Sequence, residues 1–74
     1  MEEYLEELTF LKEAGFDTKS YYIFLNTNGD HRITESGNYI SLGLQPGMIL
    51  QARIRKKGCA GREITELIRT ATTE

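Results

Sequence analysis

Met48-Ile49-Leu50-Gln51-Ala52-Arg53-Ile54-Arg55-Lys56-Lys57 decides how the rest of this chain is read. Met48, Leu50, Ala52 and Ile54 alternate with Ile49, Gln51, Arg53 and Arg55, a period of two that gives a strand one buried face and one wet face. The strand runs out into a basic turn, Lys56-Lys57-Gly58. Just before it, Gln45-Pro46-Gly47 is a reverse turn, because proline presets φ for the position that precedes glycine.

Moving toward the N-terminus, residues 39–44 read as a loop or a short helical turn and residues 35–38 as a break. Tyr21-Tyr22-Ile23-Phe24-Leu25 is a dense aromatic and β-branched run of strand length. Asn28-Gly29 follows it as a turn that takes positive φ without cost, and residues 31–34 return as a weaker strand, completing a hairpin. At the start, Tyr4, Leu5, Leu8, Leu11 and Gly15 fall at helical spacing with glutamates opposite, which predicts a helix over residues 2–14. On the far side of Gly58-Cys59-Ala60-Gly61, Ile64, Leu67, Ile68 and Ala71 also recur at helical spacing. Residues 62–70 are therefore expected to form a short helix, with a strand as the rival because Ile64, Glu66 and Ile68 alternate. The expected fold is a single α+β domain over residues 1–74, a small mixed sheet of three to four strands packed on an N-terminal helix, with a short C-terminal helix.

Composition bounds what such a domain does. Seventy-four residues, 39% apolar and 27% charged, suit one small core and lie outside the regime of disordered chains. The net charge of −2 conceals a sorting: residues 1–16 hold five glutamates against one lysine, and residues 51–62 hold five basic residues and no acid. A dipolar surface of this kind orients one protein on another, whereas a nucleic-acid binder is basic overall. The single Cys59 makes no internal disulfide, the N-terminus is acidic where a secretory signal is basic, and no apolar run approaches membrane-spanning length. A cytoplasmic protein without membrane contact is expected.

Chemistry is sparse. One histidine and one cysteine, His31 and Cys59, lie 28 positions apart and form no nucleophile–base set, so no catalytic residues and no enzyme are expected. Nothing has zinc-ligand or phosphate-loop spacing, and no cofactor is expected. Asn26, Asn28 and Asp30 sit where an EF-hand loop carries its first three ligands. However, His31 replaces the glycine and Gly37 the bidentate glutamate, so residues 26–34 are expected to be a hairpin turn and not a metal site.

Tyr22-Ile23-Phe24, Asn28-Gly29, Leu42-Gly43-Leu44-Gln45-Pro46-Gly47-Met48-Ile49 and Arg53-Ile54-Arg55-Lys56-Lys57-Gly58, taken in order, resemble the later part of a ubiquitin-like β-grasp domain over residues 4–59. The resemblance implies a non-catalytic interaction module that binds a protein partner through the exposed sheet face and the basic strand end, at Tyr21, Ile23, Gln51, Arg53, Arg55, Lys56 and Lys57. Gly58-Cys59 stands where conjugation needs a glycine pair, so covalent tagging is not implied. A second similarity, of Arg32-Ile33-Thr34 and residues 42–47, is to the small swapped-hairpin DNA-binding regulators. It implies the alternative, a dimer that meets DNA phosphates through residues 53–57.

Overall fold

The computed structural model describes residues 3–68. Its chain is almost entirely β structure: β1 (Glu3–Phe16), β2 (Lys19–Asn26), β3 (His31–Glu35), β4 (Ile49–Lys57) and β5 (Gly61–Ile68), with one 3-10 helix, Gly37–Leu42, between β3 and β4. All pairings are antiparallel and form one sheet in the order β3-β2-β1-β4-β5. Three strands joined in sequence and a fourth that returns beside the first make a Greek key. The two edge strands, β3 and β5, come round toward each other, so the sheet curls into a partly open five-stranded barrel with the connectivity of the OB type.

The α+β expectation is overturned at both ends. The segment read as an N-terminal helix is β1, the central strand, which gives its first half to β4 and its second half to β2. The segment read as a C-terminal helix is β5, hydrogen-bonded to β4. Residues 2, 69 and 70 of those two spans, and Ala71, lie outside the described residues. An α-helix packed on the sheet, and with it the β-grasp architecture, is absent among the described residues.

Charge and bulges explain both reversals. Along β1 the inward positions are Tyr4, Glu6, Leu8 and Phe10, an alternation broken to the eye because a glutamate points into the core. Glu6 is held there by Arg32 of β3, whose Nε lies 3.0 Å from Glu6 Oε1. Beyond Phe10 the pairing with β2 slips by one residue at Leu11, a β-bulge that shifts the phase of the apolar positions. A straight strand of this length would span about 43 Å, more than the molecule's greatest extent of 37 Å, and the bulge is where β1 bends. In β5 the slip falls at Thr65, so that Ile64 and Leu67, three apart, are both buried. A spacing of three is the spacing of a helix. Thr65 Oγ1 donates to the Arg53 carbonyl at 3.1 Å and repairs the ladder at the slip.

Leu8, Phe10, Tyr22, Phe24, Leu50, Ala52, Ile54, Ile64 and Leu67 form the core on the concave side. Phe10 stands edge-on to Tyr22 at 5.1 Å and tilted to Phe24 at 5.4 Å, arrangements that aromatic quadrupoles favour. The connection from β3 to β4 crosses this concave side, its 3-10 segment laying Tyr39 and Leu42 on the core and the loop after it Leu44 and Met48. Its exit is pinned to β1, where Gly47 N donates to the Phe10 carbonyl and Phe10 N to the Met48 carbonyl, both at 2.8 Å.

Two hairpin ends show why particular residues stand there. At Gly61, opposite Lys57 across the β4–β5 turn, an added Cβ would run into the Lys57 carbonyl oxygen, so only glycine closes that hairpin. The β1–β2 turn is Asp17-Thr18, and Asp17 takes φ 59°, a left-handed conformation that strains a residue with a side chain. Replacing it with glycine removes that strain. Asp17→Gly is expected to raise the melting temperature by about 2–4 °C, equivalent to ~0.5 kcal/mol, in a calorimetric scan. A lowered melting temperature would mean that the strain at Asp17 is smaller than the chain entropy that glycine adds to the unfolded state.

Candidate functional site

The convex face of the sheet carries the side chains that remain for a partner. Side chains alternate, so the neighbours of each core residue point outward. On β2 these are Tyr21, Ile23 and Leu25, and the register sets Ile33 of β3 directly beside Ile23 and His31 beside Leu25. On the other side of β2, Lys12 is opposite Ile23 and Thr9 opposite Leu25. Thr9 is also paired with Ile49 of β4, which joins the two halves of the face in one row, Leu25–Thr9–Ile49. Ile33 is 59% exposed and Ile49 52%, with the flanking Leu5 at 51% and Phe16, at the tip of the β1–β2 hairpin, at 73%. An apolar band rimmed by charged residues on an otherwise polar surface is the mark of an interaction site.

The basic strand end is not bare. Glu63 and Glu66 of β5 stand beside it, with Arg53 Nε 3.3 Å from Glu66 Oε1, Arg55 Nη2 3.1 Å from Glu63 Oε1 and Lys57 Nζ 3.8 Å from the same oxygen. Lys56 pairs in register with Arg62 at the turn. Across the sheet Lys19 meets Glu35 at 3.3 Å. These are exposed or half-exposed pairs that contribute little stability, yet two glutamates set against the four cations of residues 53–57 weaken the positive field that those residues suggest in isolation.

The residues expected to form one patch fall into two groups. Tyr21 and Ile23 are level with Ala14 and Lys12 of β1, whereas Gln51, Arg53 and Arg55 are level with Glu7, Leu5 and Glu3. Nine steps along β1, from Ala14 to Leu5, set Tyr21 apart from Arg53, a rise of at most about 30 Å. The middle of the face belongs to Leu25, Thr9 and Ile49. One signal for this was present in the sequence, since Tyr21-Tyr22-Ile23-Phe24-Leu25 is apolar on both faces, and a strand with one wet face alternates instead.

No family model, curated protein or solved structure matches this chain. The site therefore rests on its own geometry.

The turn that resembles an EF-hand loop has another use for its side chains. Asn26 is buried, its Oδ1 accepting from the backbone N–H groups of Asn28 at 2.9 Å and Asp30 at 2.8 Å, while its Nδ2 donates to Glu6 Oε2 at 2.9 Å. It ties the hairpin turn to the internal ion pair. Among the described residues no three of His, Cys, Asp and Glu gather as a metal-binding group. His31 and Cys59 are both exposed, on β3 and in the β4–β5 turn. On the concave side Tyr39 has its phenol pKa raised, first by burial and then by the charge of Glu66. No helix among the described residues is long and apolar enough to cross a membrane.

Proposed function

We propose that this chain is a non-catalytic interaction module that binds a protein partner through the convex face of its sheet. The observation that carries this is the apolar band across four adjacent strands, from Ile33 and Ile23 through Leu25 and Thr9 to Ile49. Burying half-exposed isoleucines and leucines of that kind against a partner is favourable at roughly 25 cal/mol per Å² of apolar surface. The reading does not rest on the ubiquitin-like resemblance, and of the residues that resemblance implied it keeps Ile23 in the band and Tyr21 beside it. Gln51, Arg53, Arg55, Lys56 and Lys57 become its far rim. A cytoplasmic setting is part of the same proposal, supported by the lone cysteine.

Nucleic acid is the second reading. Barrels of this connectivity bind oligonucleotides on the face of β2 and β3, which is an analogy of fold, and Phe16 and Tyr21 are aromatic groups on that face. Against it, a backbone-tracking groove is positively charged, whereas here the arginines of β4 are matched by Glu63 and Glu66 and the chain as a whole is acidic.

A photo-reactive phenylalanine analogue at position 33, compared with one at position 57, tests the proposal in cells. Discrete protein adducts are expected from position 33 and not from position 57. Adducts from position 57 alone, or crosslinks to nucleic acid, would overturn it.

A further inference from the structure

Of the three charges on the convex face of β1, Glu3 lies opposite Arg55, whereas Glu7 and Lys12 have no charge opposite them. Glu7 is exposed and opposite the uncharged Gln51, and Lys12 is exposed and opposite Ile23. Among the described residues neither has an ion-pair partner. They flank Thr9, the midpoint of the apolar row, at nearly equal distances along the strand: two residues on one side, and three that include the bulge on the other. Opposite charges placed symmetrically about the centre of an apolar band form a self-complementary pattern.

From this pattern we infer that the partner of the convex face is a second copy of this chain. A two-fold axis lying along the Leu25–Thr9–Ile49 row brings those three residues of each copy together and sets Glu7 of each over Lys12 of the other. That is an isologous contact, in which one patch serves both sides. Shape agrees. The molecule extends 37 × 35 Å along its two longer axes, a span within which the roughly 800 Å² per partner of a stable interface fits. Charge agrees as well, because the flanking ion pairs Lys19–Glu35, Arg53–Glu66 and Arg55–Glu63 are closed within each copy and Glu3 lies opposite Arg55.

The inference rests on the convex face being the docking surface, and the test separates the two. Sedimentation equilibrium of the full chain, from micromolar to millimolar, is run on the natural sequence and on Glu7→Lys, Lys12→Glu and the double exchange, with circular dichroism to verify folding. The natural chain is expected to be a dimer. Either single reversal places like charges together twice per dimer and is expected to weaken association by about ten-fold or more, and the double exchange to restore it. A dimer that ignores both reversals would overturn the arrangement. A folded monomer at every concentration would overturn self-association, while adducts from position 33 to a different protein would leave the convex face as the docking surface.

Discussion

Phe24→Ala is expected to remove about 3–5 kcal/mol of the protein's stability. Phe24 is fully buried at the centre of β2, tilted against Phe10 and edge-on to Tyr22 at 6.4 Å. Removing a buried phenylalanine ring costs about 3–5 kcal/mol in lost transfer energy and cavity. A chain of this size has in all roughly 4–11 kcal/mol of stability, so the loss takes between about a quarter and all of it. Far-UV circular dichroism with a urea titration reads the effect. Its neighbour Ile23 faces outward, and Ile23→Ala is expected to cost under about 1 kcal/mol in the same experiment. Equal losses at positions 23 and 24 would contradict the assignment of faces.

The second large effect lies at Glu6. Its side chain and that of Arg32 are only 15% and 14% exposed. The pair is held by contacts of 3.0 Å from Nε to Oε1 and 3.4 Å from Nη2 to Oε2, and Asn26 adds a third donor. Glu6→Ala leaves a guanidinium in the interior without its counter-charge and Asn26 Nδ2 without its acceptor, and is expected to destabilise by about 3–5 kcal/mol. Replacing both partners, Glu6→Leu with Arg32→Met, removes the unpaired charge together with the cost of desolvating it, and is expected to recover most of that loss. Thermal unfolding of the two single variants and the double variant forms the cycle. A Glu6→Ala variant within about 0.5 kcal/mol of the natural chain would mean that the pair is solvated.

The same ion pair, together with two bulges, explains why the sequence was legible in its middle and misleading at its ends. Tyr21 to Leu25, residues 31–34 and Met48 to Lys57 lie within or almost within the observed strands, because each carries β-branched or alternating residues and is bounded by a recognisable turn. The segment over β1 lacks that simplicity. Glu6 points inward, Leu5 points outward, and a bulge at Leu11 resets the phase, so the spacing of Leu5, Leu8 and Leu11 imitates a helix. The bulge at Thr65 does the same for Ile64 and Leu67. Both faults share a cause, since an inserted residue turns a step of two into a step of three. For the interaction face, charge read along the chain was the wrong guide. The cationic residues of β4 are answered by Glu63 and Glu66, which lie 8 and 13 positions further on and only a hairpin brings beside them.

Thr9 offers the most direct test of the whole account, because both the fold and the continuity of the docking face depend on its having a strand on either side. Nuclear Overhauser contacts of its backbone protons are expected to Leu25 on one flank and Ile49 on the other. Sequential contacts at i to i+3 through residues 5–12, with none to either strand, would mean a helix there. That result would contradict both the barrel and the face.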